Sequence, residues 1–335
     1  MDKQDIARKN RRRLILYFDS GVKAQDDCKR LGVEVEHLVV TDDGEPVPYT
    51  SGNDAVGIRE VLEHLATWYP QRTSNTHGDL LGLLGEEGSV TLEPAAQLEL
   101  SAVPYERIAD NTPVYEGETN HVPIRRLQLW REVDLRRCGT VPGVFEDGFG
   151  FERYVDWLLS TSPIFVTRPE TGNPNGPTTR PFFEEPASEA YADAPMESAD
   201  VEHLISMFWP DVRLKRFVEI RPADSLPQAQ MLGYAALVKG IFYCEESLAA
   251  IENVLGVSET AYASRGGWPI NARDVDDAIA QVQGRGLFGE VYGMSLLAWE
   301  HLLFSLARHA LGRDEAAYLV PLEEFAVQKP WWDVE

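Results

Sequence analysis

The chain has 335 residues, 44% hydrophobic and 25% charged, with 54 acidic against 31 basic side chains and a net charge of −23. Its length suits one large domain or two modest ones, and its composition is that of an ordinary globular protein. The charge argues against a nucleic-acid or anionic-membrane surface, because phosphate contacts need a basic face. No apolar run is long enough to span a bilayer, and residues 1–13 lack the apolar core of a signal peptide. Cys28, Cys138 and Cys244 are widely spaced, with no CxxC pair. They indicate neither a disulfide framework nor a cysteine zinc site, and a reducing cytoplasm is the simplest compartment.

Residues 2–18 read as a basic helix. A strand is expected at about 31–41, ended by the turn Asp42-Asp43-Gly44. Val56, Ile58, Val61, Leu62, Leu65 and Ala66 stand near helical spacing and predict a helix over about 55–68. The Gly-rich apolar stretch 81–88 reads as a strand and turn leading into a second strand over 90–101. Residues 103–147 show little sustained period. Phe149 to Leu159 reads as an amphipathic helix, with Gly148 and Gly150 capping or turning its start. Residues 168–200, rich in Pro, Gly, Asn and acids, read as a long loop or lid. A third strand is expected at 214–221, stopped by Pro222. Helices follow at about 228–255, 273–283, 290–311 and 313–326. The order predicts one α+β domain over 1–335 with a mixed or antiparallel sheet. Residues 1–226 bear the sheet and 227–335 are mainly helical.

Three of these segments carry carboxylates on a period of two, the pattern of a strand with one buried face. Glu34 and Glu36 alternate with Val33 and Val35. Gln97, Glu99 and Ser101 alternate with Leu98 and Leu100, while Glu93 stands just before Pro94, which breaks the ladder. Lys215, Phe217, Glu219 and Arg221 alternate with Leu214, Val218 and Ile220. Any one such strand has a solvated outer face about two times in three. Three converging in one sheet would need cations, and Mg²⁺ with supporting Lys and Arg fits, holding ATP by its phosphates. No Walker A sequence and no strand-linked GxGxxG is present. His37 is most simply structural.

These segments together resemble the glutamate–cysteine ligase family, in its plant, proteobacterial and actinobacterial branches. Gly32 to His37 is similar to a G-x-E-x-E strand, and Leu92 to Ser101 to an L-E-P-x-x-Q-x-E-x-S strand. Trp130, Asp134, Arg137 and Gly139 match a W-x-x-x-D-x-x-R-x-G segment. Leu214 to Asp224 is similar to an L-K-R-x-x-E-x-R-x-x-D strand. The resemblance implies a glutamine-synthetase-like catalytic sheet and an ATP-dependent ligase. Such an enzyme makes γ-glutamylcysteine through a γ-glutamyl phosphate, the first step of glutathione-type thiol synthesis. It implies Glu34, Glu36, Glu93, Glu99 and Glu219 as Mg²⁺ ligands. Arg221 and Lys215 would face phosphate, with Arg137 at the catalytic centre and Arg126 and Trp130 on substrate.

The family pattern has a long stretch between the L-E-P strand and the segment that follows it. Here Ser101-Ala-Val-Pro-Tyr105 runs almost directly into Asp110-Asn-Thr-Pro. That internal deletion after Tyr105 implies a reduced sheet whose edges must pair, be covered, or be supplied by another chain. It leaves three readings in view. One is a compact ligase of small molecules, with cysteine or another amine as acceptor. The second is a non-catalytic relative that binds Mg·ATP or a partner subunit. A homo-oligomer is compatible with both, and a third reading takes the sequence as truncated.

Overall fold

A computed structural model describes the protein except for residues 1, 25–26, 53–55, 76, 112–132, 169–177, 182–183, 224–225, 259–267 and 329–335. The first elements are α1 (Lys3–Asp19), β1 (Glu34–His37), α2 (Ile58–Leu65), β2 (Gln71–Ser74), β3 (Leu80–Leu84), β4 (Gly88–Glu93) and β5 (Gln97–Ala102). Next come β6 (Cys138–Gly139), α3 (Phe151–Ser160), β7 (Phe165–Arg168), β8 (Thr178–Pro181), α4 (Ala187–Ala190) and α5 (Ser198–Ser206). After β9 (Trp209–Pro210), β10 (Val212–Leu214) and β11 (Val218–Ile220) the chain turns helical, with α6 (Gln228–Phe242), α7 (Glu245–Leu255) and α8 (Ala272–Arg285). It closes with the short strands β12 (Glu290–Val291) and β13 (Met294–Ser295), then α9 (Leu296–Ala310), α10 (Arg313–Ala316) and α11 (Leu319–Glu323). The fold is α+β, and its main sheet is antiparallel. The elements fall into two compact units interleaved in the sequence. One holds Met1–Asp27, Val122–Asp224 and Ala249–Trp299; the other holds Cys28–His121, Ser225–Leu248 and Glu300–Glu335.

In the first unit, Asp2 caps α1 by accepting from the Asp5 amide at 2.8 Å, satisfying one of the orphan donors of a helix start. Ile6, Leu14, Tyr17 and Phe18 then turn inward. They join an aromatic core in which Phe18, Tyr154, Trp157 and Phe208 meet edge to face at centroid distances of 4.9–5.3 Å. Asn10 is buried among them without penalty. Its amide donates to the Tyr191 carbonyl at 2.9 Å, and its oxygen accepts from the Met196 amide at 2.7 Å.

In the second unit the strand order is β1-β5-β4-β3-β2, every neighbour antiparallel. Leu83, Val90 and Leu98 on one face pack against Ile58 and Leu62 of α2. The sequence on either side of Tyr105 is clamped here. Leu31 and Tyr105 exchange backbone hydrogen bonds of 2.9 and 3.0 Å. Lys239 of α6 donates to the Glu106 carbonyl at 2.6 Å and to both oxygens of Glu315, which also accepts from the Ile108 amide at 3.0 Å. The junction is thus held by a charge-assisted staple.

Several expected elements differ. The strand expected over 90–101 is two paired strands, β4 and β5, the helix expected over 228–255 is broken between α6 and α7, and 290–311 opens with β12 and β13 before α9 begins. Residues 168–200 are not loop throughout: among the described residues they hold β8, α4 and the start of α5. Paired backbone in β7–β8 and the burial of Ala187, Ala190 and Tyr191 outweigh the Pro- and Gly-rich composition. The third strand is instead a hairpin. Lys215 to Phe217 form its turn, so Leu214 lies opposite Val218 and Arg213 opposite Glu219.

Lys239→Met should remove the staple and leave Glu315 without its cation. A loss of about 1–3 kcal/mol in urea unfolding is expected. A second test uses Glu300, whose Oε2 is buried without a hydrogen-bond partner among the described residues. Burial pushes its carboxyl up to about 7. The folded pKa lies above the unfolded one, so ionisation weakens the fold as pH rises from about 4.5 through about 7. Glu300→Gln should therefore raise the melting midpoint at pH 8 and leave it nearly unchanged at pH 5.

Candidate functional site

The β1–β5–β4 ladder puts all its carboxylates on one face. Glu36 stands directly opposite Glu99, Glu34 opposite Ser101, and Glu93 opposite Gln97. The other face carries Val35, His37, Leu98, Leu100 and Val90, so the period-two reading of these strands holds. His37 falls on that apolar side, and burial lowers its pKa. Like charges directly opposite on paired strands destabilise them. The neighbours soften this: the Gln97 amide donates to Glu36 at 2.7 Å and the Ser101 hydroxyl to Glu99 at 2.9 Å. Thus the Gln and Ser that alternate with Glu99 each supply a donor to this face, Gln97 to Glu36 and Ser101 to Glu99.

Glu93 reaches this face through a strained turn. Ala95 and Ala96, between β4 and β5, have φ of 63° and 58°, a region that side chains with a Cβ rarely enter. Beside Glu93 lies an open cleft of about 380 Å³, lined by Tyr49, Asn75, Asp79, Leu92, Pro94 and Ala96 among others. Among the described residues no group of three or more His, Cys, Asp or Glu side chains is gathered to hold a metal ion. The donor chemistry still fits Mg²⁺, which commonly takes one or two carboxylates and completes its shell with water and phosphate.

Glu219 is in a different setting. Its hairpin, β10–β11, is hydrogen-bonded to no strand of the five-stranded sheet among the described residues. The hairpin is also inverted relative to expectation. Its charged side is the more buried, with Glu219 9% exposed and Val218 61%, while Leu214 on the apolar side still packs partly against the core. Arg213 engages both oxygens of Glu219 as a fork, with Nη2 at 2.8 Å from Oε1, and its Nη1 donates to the Phe208 carbonyl at 3.1 Å. Lys215 stands 3.3 Å and Arg221 3.4 Å from the same carboxylate. Burial alone would raise the Glu219 pKa. The Arg213 hydrogen bonds and the charges of Arg213, Lys215 and Arg221 outweigh it and hold the carboxyl at about 2.

Arg137 is buried in the same unit. It pairs with Asp134 three residues earlier and donates to the Ser162 carbonyl at 2.7 Å. Its own carbonyl accepts from the Trp209 amide at 2.7 Å, and Gly139 accepts from Asp211, whose carbonyl in turn accepts from the Arg221 amide. This chain of backbone bonds ties the Asp134–Gly139 segment to the hairpin of Glu219. Arg126 and Trp130 lie outside the described residues. Arg213 is the site residue that the sequence reading missed. Its signal was its distance from Glu219: six residues, which a tight turn at 215–217 makes direct cross-strand partners.

Comparison with known proteins adds a family. Residues 108–328 match the model of glutamate–cysteine ligase family 2. That span includes Arg137, Arg213, Lys215, Glu219 and Arg221, and begins after the β1–β5 sheet. The chain is 37% identical over 145 residues to glutamate–cysteine ligase A, chloroplastic, of Oryza sativa subsp. indica, covering 43% of this chain and 29% of that protein. It is 37% identical over 142 residues to the chloroplastic glutamate–cysteine ligase of Nicotiana tabacum (42% and 27%). The Arabidopsis thaliana counterpart is 35% identical over 142 residues, with the same shares. The matched stretch spans less than a third of the length of each of these relatives.

The Glu219 cluster has a signature in acid. The folded pKa is depressed, so its stabilisation is complete above the unfolded value near 4.5 and is lost as pH falls through about 2. Glu219→Gln should cost on the order of 3 kcal/mol at pH 7. The gap between it and the wild type should narrow steadily in denaturant titrations from pH 5 to pH 2. A gap independent of pH would show that the carboxylate is not ion-paired.

Proposed function

The chain belongs to glutamate–cysteine ligase family 2, and from that premise we propose that it is an ATP-dependent glutamate–cysteine ligase. The observation that carries the reading is the one-sided carboxylate face, with Glu36 opposite Glu99 in paired strands. A sheet tolerates that arrangement where a cation offsets the repulsion.

In the proposed reaction, an oxygen of the glutamate γ-carboxylate attacks the terminal phosphorus of ATP, and ADP leaves. The cysteine amine then attacks the acyl carbon, loses a proton, and expels phosphate. Glu34, Glu36, Glu93 and Glu99 would hold Mg²⁺, with the resemblance adding Glu219. The metal supplies charge neutralisation on the phosphate oxygens. Lys215 and Arg221 stabilise negative charge on the transferring phosphoryl group. Arg137 fixes the Asp134–Gly139 segment, and Arg126 and Trp130 would contact substrate. The free thiols Cys28, Cys138 and Cys244 suit the reducing cytoplasm we propose as its compartment. No helix among the described residues is long and apolar enough to cross a membrane.

One observation favours a second reading. The chain covers less than a third of each matched relative, and a non-catalytic Mg·ATP-binding relative would need only part of the machinery. A coupled assay for ADP release with glutamate, cysteine and Mg²⁺ separates the two. The ligase reading expects release stimulated by both amino acids and reduced at least about tenfold by Glu99→Gln. Mg·ATP binding by calorimetry with no stimulated release at high enzyme concentration would support the second reading. Release with another amine in place of cysteine would move the acceptor.

A further inference from the structure

Gln97 and Ser101 flank Glu99 on β5, the strand that lies between β1 and β4. Each gives its donor to one oxygen of the opposed pair Glu36 and Glu99. The Gln97 amide reaches Glu36 Oε2 at 2.7 Å, and the Ser101 hydroxyl reaches Glu99 Oε1 at 2.9 Å. Among the described residues, Glu36 Oε1 and Glu99 Oε2 are left without a donor. Each carboxylate is thus held at one oxygen and open at the other.

These bonds add little to the stability of the fold. Glu36 is exposed, and a hydrogen bond within reach of water replaces one that water would make. The place of Gln97 is nonetheless closely set. It stands directly opposite Glu93, across a turn of Pro94, Ala95 and Ala96. Both alanines hold positive φ, and strain of that kind persists only where the surrounding structure imposes it. A slip of one residue in this turn would carry the Gln97 side chain to the apolar face.

A donor on one oxygen limits the rotation of a carboxylate. A neutral donor does so without cancelling the negative charge, as a guanidinium would. Groups that hydrogen-bond metal ligands in this way set their orientation and their affinity for the ion.

We propose that Gln97 and Ser101 are positioning residues, which hold Glu36 and Glu99 so that one oxygen of each stays available to a divalent cation. The proposal rests on the reading of the carboxylate face as a Mg²⁺ site. The assignment of roles rests on the two hydrogen bonds and the turn.

The test avoids turnover. The full chain is titrated with Mn²⁺ alone, and the free ion is followed by its electron paramagnetic resonance signal. The variants are Glu99→Gln, Gln97→Met, Ser101→Ala and Ser101→Thr, with the metal-free melting midpoint measured for each. Glu99→Gln is expected to lose affinity by about tenfold or more. Gln97→Met keeps the length of the side chain and loses the donor, and Ser101→Ala loses the hydroxyl. Each is expected to bind Mn²⁺ about tenfold more weakly, with little change in midpoint. Ser101→Thr keeps the hydroxyl and is expected to bind within about twofold of wild type. A merely structural role would lower the midpoints and leave the affinity of the folded protein alone. Should Gln97→Met not fold, Gln97→Leu is measured in the same way. Unchanged affinity in Gln97→Met and Ser101→Ala, beside a loss in Glu99→Gln, overturns the positioning roles and leaves the metal face standing. Ser101→Thr binding as weakly as Ser101→Ala overturns the role of the hydroxyl. A wild type that binds no Mn²⁺, or no more tightly than Glu99→Gln, overturns the metal face and the positioning roles together.

Discussion

A carboxylate withdrawn from water must find positive charge or give up its own. In the first unit this requirement shapes everything around Glu219. Burying the charged face of the β10–β11 hairpin demands a fork-shaped partner, and Arg213 sits in the one register that supplies it. The Phe208 carbonyl takes a further guanidinium donor, and the Tyr154 hydroxyl accepts from the Leu214 amide at 3.2 Å, fixing the hairpin to the aromatic core. Its tip is fixed too: a Cβ at Gly21 would meet the Arg216 backbone at 2.5 Å, so α1 ends against the turn with no room for a side chain. An ion cluster therefore settles which way the hairpin faces, and Val212 and Val218 are left exposed.

The second unit treats the same residue type in the opposite way. Glu36 and Glu99 lie opposite one another with amide and hydroxyl donors beside them and, among the described residues, no Lys or Arg hydrogen-bonded to them. Amide and hydroxyl donors do not neutralise a pair of anions. The two settings thus suit different chemistry. A carboxylate already paired with guanidinium serves as a fixed counter-charge, while carboxylates gathered on one sheet face suit a hard cation. Charge environment, rather than residue identity, separates the roles of Glu36 and Glu99 from that of Glu219.

The same distinction governs what the sequence could convey. Faces were legible wherever a run stayed extended: Glu34-Val35-Glu36 and Leu98-Glu99-Leu100 sit as a period of two requires. Pro94 marked the break before β5, and the helices at 3–19, 58–65 and 151–160 follow their apolar spacing. The third carboxylate run misled for a physical reason. Its turn, Lys215-Arg216-Phe217, has none of the Gly, Pro, Asn or Asp that usually announce one. The alternation also continues across it, because Leu214 and Val218, opposite each other in the hairpin, share a face just as they would in a single strand. Face-sharing survived and burial reversed. The amount of burial depends on partners such as Arg213, and no periodicity encodes a partner.

The placement of cations also bears on how an anion can approach a chain of net charge −23. At physiological salt the Debye length is about 8 Å, so the diffuse negative field is largely spent within one side-chain length of the surface. Inside that distance the local charges decide. Exposed lysines scattered among acids would be neutralised by their neighbours. Lys215 and Arg221 share the Glu219 carboxylate with Arg213, so that acid's charge is divided among three cations. The Arg213–Glu219 fork thus fixes the carboxylate against which Lys215 and Arg221 stand, so their placement is set inside the protein and not by the exposed acids of its surface.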